Sequence, residues 1–317
     1  MQPQIIDNGP IQLQVFSKGE GPLILCVHGW PELAYSWRHQ IDHFSGRGFQ
    51  VAALDVRGYG GSSKPQAISD YSMRQLTADV AAVARSLSDA PAILFGHDWG
   101  APIAYNTALL FPDQFKAVAG LSVPFTPFSG MNSLELWQAL YPDRFFYQLY
   151  IQQEGIPEAE AEADIPGTLR RIYYALSGDA PADEWLKPKP ADAGLLDELL
   201  DPQPFPAWMS EYDLQVYVDA FSAGGFRGPF NRYRAQVLDS TDLTGLQGRK
   251  LTQPTCFIGG DKDADRHLVP GADIYADPGS GCVDFRGSTL IPGIGHWVQQ
   301  EAPAATNSAL EDFLDSL

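Results

Sequence analysis

Asp98 lies between Gly96 and Gly100 in the stretch FGHDWGA, residues 95–101, directly after an apolar run. This is the pattern of a sharp strand-to-helix turn, where flanking glycines relieve crowding and the central side chain projects free above the strand end. Such a turn usually mounts a hydroxyl nucleophile; here it mounts a carboxylate. The following helix offers its N-terminus and the Trp99 backbone N–H to a developing negative charge. Pro102 falls in the first turn of that helix, where its missing N–H costs nothing. Taken alone, the stretch suits a helix-capping aspartate as well as a nucleophile.

Other segments favour the nucleophile. VHGWPE, residues 27–32, follows a second apolar run and offers the Trp30 backbone N–H as a second oxyanion donor. Downstream, IGGDKDAD (258–265) supplies Asp261, Asp263 and Asp265 after a strand, and GIGHWVQ (293–299) supplies His296. Nucleophile, acid, histidine is a known chain order for a triad built on this turn. Asp263, just beyond the strand end, is the expected partner of His296; Asp261 is the second choice, and the remaining loop aspartates shape the turn. His296 is the only one of the six histidines past the last expected strand. His28 and His97 flank the two turn motifs and are read as holding loops by hydrogen bonds, with His39, His43 and His267 on the surface. No set of three or more His or Cys falls at metal-ligand spacing, so neither a metal nor another cofactor is expected.

Short apolar runs, each followed by a helix-like or loop segment, must position these groups. The runs are IQLQVF (11–16), LILCVHG (23–29), FQVAALD (49–55), AILFGH (92–97) and AVAGLSV (117–123). In residues 71–88, Leu76, Val80, Val83 and Leu87 recur at helical spacing. Alternating strands and helices predict a mostly parallel sheet covered on both faces. The alternation stops near Pro127. From there to about Leu251 the chain reads as helices and proline-rich loops dense in aromatics, before TCFIGG (255–260), CVDFRG (282–287) and a final helix. The expected organisation is one α/β core, residues 1–127 and 251–317, interrupted by a helical cap, residues 128–250.

The 317 residues carry 21 Lys+Arg against 39 Asp+Glu, a net charge of −18. That excess repels phosphate backbones and anionic lipid, which excludes nucleic acid and membrane surfaces as partners. No apolar run reaches the roughly 18 residues of a membrane span, and the N-terminus lacks a signal-peptide pattern. Three scattered cysteines give no disulfide framework. These features predict a cytoplasmic protein; a monomer or homodimer is expected, which the sequence does not distinguish.

The elbow, HGWPE, DVRGYGGSSKP (55–65), LSVPF (121–125) and GHW together resemble the α/β-hydrolase-fold epoxide hydrolases along nearly the whole chain. The resemblance implies that fold, here as the hydrolase portion alone without the extra phosphatase domain of the mammalian soluble members. It also implies two catalytic cap tyrosines, which fall on Tyr147 in FYQLYIQ and Tyr233 in GGFRGPFNRYR. Gln148, Trp30, Trp99 and Phe125 would line the pocket, and the bond before Pro31 would be cis. A small-molecule epoxide with apolar or aryl substituents is the implied substrate.

An epoxide presents an sp³ carbon, which a carboxylate attacks in line without activation, being ionised at an ordinary pKa of about 4. The resulting ester needs water, a base and an oxyanion hole; ring opening needs a proton donor, which a phenol with a pKa of about 10 can be. A haloalkane or haloacid dehalogenase is the nearest alternative, with indoles such as Trp99 and Trp137 cradling the halide. The paired tyrosines argue against it, because a halide needs no acid. A non-catalytic binding member of the fold would show a broken triad, and a serine esterase is excluded because position 98 is not a hydroxyl residue.

Overall fold

The computed structural model of the protein describes residues 2–317. Eight strands form one sheet: β1 (Pro3–Asn8), β2 (Ile11–Lys18), β3 (Leu23–Val27), β4 (Gln50–Leu54), β5 (Ala92–His97), β6 (Phe115–Leu121), β7 (Thr255–Gly260) and β8 (Phe285–Ile291). Their order is β1-β2-β4-β3-β5-β6-β7-β8. β2 pairs antiparallel with β1 and β4, and every other pairing is parallel. The inner strands β3, β5 and β7 are buried along their whole length. This accounts for their unbroken apolar runs.

Two edges differ from the sequence expectation. β1 is not legible as a strand because only Ile6 of its six residues is buried. β8 starts at Phe285, not Cys282. Residues Leu251 and Cys282 form an isolated bridge instead, and Val283 N–H donates to the Leu251 carbonyl at 2.8 Å.

Helices α1 (Arg38–Ser45), α2 (Met73–Leu87) and α3 (Gly100–Leu110) connect the strands through β6. Between β6 and β7 come only helices: α4 (Ser133–Leu140), α5 (Tyr147–Tyr150), α6 (Ile156–Ala163), α7 (Ile165–Ala175), α8 (Glu211–Gly224) and α9 (Arg227–Asp242). α10 (Val298–Glu301) and α11 (Pro303–Asp315) close the chain. Separate apolar clusters cover the two faces of the sheet, and the larger extends without a break into the α5, α7, α8 and α9 aromatics.

The inserted helices are laced to the loop after β8. His296 N–H donates to the Leu176 carbonyl at 2.8 Å. Glu301, on α10, accepts from the backbone of Gly178 at 2.8 Å, Gly295 at 3.1 Å and Trp297 at 2.9 Å. A single side chain therefore ties the end of α7 to the His296 loop. The loop after α7 packs Trp185 against Tyr147, ring centroids 5.1 Å apart. The buried Lys189 ammonium braces that loop by donating to the carbonyls of Gly194, Leu195 and Asp197.

Candidate active site

The turn after β5 holds Asp98 at φ +49°, a left-handed conformation that a non-glycine residue adopts at a cost of order 1 kcal/mol. Its neighbours leave no room for side chains. A Cβ on Gly96 would meet the Gly100 carbonyl at 2.4 Å, and one on Gly100 would meet the Val27 carbonyl at 2.0 Å. Asp98 does not cap α3; its Oδ1 accepts from the Trp30 backbone N–H at 2.6 Å. The Gly29 backbone passes so close that a Cβ there would lie 2.1 Å from the same oxygen. The Trp30–Pro31 bond is cis.

The other carboxylate oxygen, Oδ2, stands 3.6 Å from His296 Nε2. His296 Nδ1 faces Asp263, at 3.0 Å from Oδ2 and 3.2 Å from Oδ1. Tyr275 donates to Asp263 Oδ2 at 2.6 Å, and the Asp265 N–H donates to Oδ1 at 2.9 Å. Burial opposes charge on both members of this pair. Their mutual attraction overrides it, holding Asp263 below the usual carboxylate range and His296 well above the usual imidazole range. Asp261 lies apart, exposed, with its Oδ1 accepting from the Gly293 N–H at 2.7 Å.

The His296 carbonyl is fixed as firmly as its ring. It accepts from Ser122 Oγ at 2.7 Å and lies 2.8 Å from His97 Nε2. His97 Nδ1 in turn lies 2.7 Å from Glu32 Oε2, both side chains fully buried. Glu32 Oε1 accepts from Gln299 at 2.9 Å and Gln300 at 3.1 Å. Burial penalises the Glu32 charge, but His97 stabilises it and holds the carboxyl at about 2. His28 accepts from the Val56 N–H at 2.9 Å.

Two phenols descend from the inserted helices. Tyr147, from α5, and Tyr233, from α9, meet edge to face with centroids 5.8 Å apart. Tyr233 also rests on the indoles of Trp30 (5.8 Å) and Trp99 (5.3 Å), the two residues flanking the Asp98 carboxylate in space and sequence. Gln148 Nε2 donates to the Tyr147 hydroxyl at 2.9 Å. Burial raises both phenols well above the usual tyrosine range. Phe125 meets Tyr105 edge to face, centroids 5.2 Å apart. Trp137 packs against Phe146 at 4.9 Å.

Among the described residues, one set has the spacing of a cation site: Asp98, Asp265 and His296, with ligand atoms within 4.8 Å of one another. An ion there would engage the same Asp98 carboxylate that stands 3.6 Å from His296 Nε2. Also among the described residues, no helix is long and apolar enough to cross a membrane.

A family model described as the alpha/beta hydrolase fold matches residues 22–303. Epoxide hydrolase A of Mycobacterium tuberculosis is 37% identical, with 99% of this chain and 97% of that protein aligned. An epoxide hydrolase of Caballeronia sordidicola is 35% identical over 98% of this chain and 92% of its own. The structure of an epoxide hydrolase from an endophytic Streptomyces superposes with a TM-score of 0.94 at 39% identity, covering 99% of this chain and 95% of that one.

The chain belongs to the α/β-hydrolase-fold epoxide hydrolases.

Within this epoxide hydrolase, several residues around the site carry no sequence signal that singles them out. Tyr275 is a lone tyrosine in a loop, yet it donates to Asp263. Glu32 is legible only as the last letter of HGWPE. Trp185, beside KPKPADAG, reads as loop until it is seen against Tyr147. Asp265, a turn-shaping residue on the sequence alone, has its Oδ2 3.7 Å from His296 Nδ1.

Proposed function

We propose that this enzyme converts an epoxide and water to a vicinal diol through an ester on Asp98, with residues 128–250 acting as a cap over a core of residues 1–127 and 251–317. The observation that carries the reading is the division of the Asp98 carboxylate: Oδ1 held by the Trp30 N–H at 2.6 Å, Oδ2 free and 3.6 Å from His296 Nε2. In ring opening, Oδ2 attacks a ring carbon, the C–O bond breaks, and the alkoxide takes a proton from Tyr147 or Tyr233. Esterification then removes the negative charge beside His296, so the imidazole loses proton affinity just when a base is required. The proton it sheds is available to restore the phenol.

Water next attacks the Asp98 carbonyl carbon, giving its proton to His296 Nε2 while Asp263 steadies the ring. The oxyanion falls to the Trp30 and Trp99 N–H groups, one of which already holds Oδ1; losing such a donor typically costs on the order of 10²-fold or more in rate. Collapse breaks the bond to the alkyl oxygen, which recovers the proton from His296, and the diol leaves. Aromatic walls of Trp30, Trp99 and Tyr233, with Gln148 beside Tyr147, suit apolar or aryl substituents.

The test is Asp98→Ala together with a single turnover in ¹⁸O-water. The variant should stay folded and lose turnover of a styrene-type epoxide, and the first wild-type diol should carry unlabelled enzyme oxygen. Solvent label in the first turnover would replace the ester with direct water attack. Halide release from a chloroalkane in place of diol formation would move the protein to the dehalogenases.

A further inference from the structure

Asp265 is an oddity in this site. The residue is 6% exposed, and its Oδ1 is buried without a hydrogen-bond partner. Burying a carboxyl is expensive unless it is paired, and an apolar side chain would fill the place at less cost. Neither neighbouring lysine nor arginine answers it: Arg266 pairs with Asp273, and Lys262 donates to the Gly178 carbonyl. The carboxyl faces the reacting groups instead. Its Oδ2 is 3.7 Å from His296 Nδ1, and one of its oxygens, one of Asp98 and a ring nitrogen of His296 lie within 4.8 Å of one another.

That separation suits a bridging water. Two hydrogen bonds of about 2.8 Å, opening at a tetrahedral angle, span about 4.5 Å. A water between Asp98, His296 and Asp265 would meet the carbon it must attack, the base that takes its first proton and an acceptor for its second. We propose that Asp265 anchors the hydrolytic water, fixing its orientation while His296 deprotonates it. The proposal rests on the ester reading of Asp98. In the step, the water oxygen bonds to the Asp98 carbonyl carbon, one proton passes to His296, and the other stays on oxygen, directed at Asp265. Collapse then breaks the ester bond to the alkyl oxygen.

Burial, then Asp263 and Asp98, push the Asp265 carboxyl up to about 8, against the pull of His296. Protonated or ionised, it keeps an oxygen that accepts a hydrogen bond.

The experiment separates the half-reactions by rapid quench, following the mass of the Asp98 peptide on the full-length enzyme. Asp265→Leu should form ester at the wild-type rate and hydrolyse it about 10²-fold more slowly, so that ester accumulates. Asp265→Asn, which keeps an acceptor oxygen, should lose far less. Hydrolysis by Asp265→Leu at the wild-type rate, or an equal loss in both half-reactions, overturns the proposal while leaving the ester intact. Absence of any ester from wild type and both variants removes the Asp98 reading and this one together.

Discussion

The rings of Tyr147 and Tyr233 meet edge to face at 77°, their centroids 5.8 Å apart, one from α5 and one from α9. Neither helix is near the other in sequence, so the pair exists only once the inserted segment has folded over the sheet. Burial keeps both phenols protonated far above neutral pH. Two proton donors thus stand beside the indoles of the Asp98 turn without competing for ionisation. Tyr233→Phe should therefore slow ester formation, by roughly 10²-fold, and leave ester hydrolysis close to wild type. Stopped-flow fluorescence with separate burst and steady-state phases measures both. An equal effect on the two phases would make Tyr233 a packing residue.

Gln148 sets which way Tyr147 points its proton. By donating at 2.9 Å to the phenol oxygen, the amide occupies a lone pair and directs the hydroxyl hydrogen elsewhere, which under the ester reading is toward the opening ring. Replacing the amide in Gln148→Leu removes one neutral hydrogen bond, worth about 1 kcal/mol, or roughly fivefold in the rate of ester formation. Combined with Tyr147→Phe, the substitution should add nothing, because the group it orients is gone. Additive losses would place Gln148 on the substrate itself.

The reach of sequence reasoning follows from where each signal is stored. Asp98 and its turn are legible because the close approach of Gly96 and Gly100 to neighbouring backbone demands glycine at fixed spacing. Asp263 is marked by the end of the buried strand β7, whose apolar run is unmistakable, whereas His296 follows the largely exposed β8 and is marked by its place late in the chain, after a glycine. Strand β1 is invisible because its single buried residue makes no pattern. Asp265 could not be told from Asp261, since three aspartates in five residues look alike until the fold turns one inward and another to solvent.

Glu32 makes the stability of the His296 support pH-dependent. Every acceptor position on its carboxylate faces a donor: His97 and the Gly29 N–H at Oε2, Gln299 and Gln300 at Oε1. A glutamine there must turn an N–H₂ toward one of those donors. Glu32→Gln should cost roughly 3 kcal/mol at pH 7, as expected for breaking a buried pair. The Glu32 carboxyl is lowered from 4.5 to about 2 on folding, so its contribution is complete above pH 4.5 and fades as pH falls toward 2. Urea unfolding should show the gap between wild type and variant holding from pH 7 to about pH 5 and narrowing from there to pH 3. A constant gap would place the cost in packing rather than charge.

Asp265 predicts the opposite sign. Its carboxyl is raised by burial from 3.8 to about 8, so the folded state holds a proton that the unfolded chain releases. Folding is favoured at pH below 3.8, relative to higher pH, and the penalty grows as pH rises until the folded-state group also ionises near 8. Asp263, Asp98 and His296 face it directly, and the two carboxylates oppose a further negative charge there. Asp265→Asn keeps the shape and removes the titration. The variant should match wild type in acid and melt higher at pH 8.5, by roughly 3 °C or more, the change that about 1 kcal/mol produces in a chain of this size. Calorimetry at pH 3.5 and pH 8.5 reads the difference. A variant equally stable to wild type at both values would mean that Asp265 ionises freely in the fold, with water or a counterion already satisfying its Oδ1.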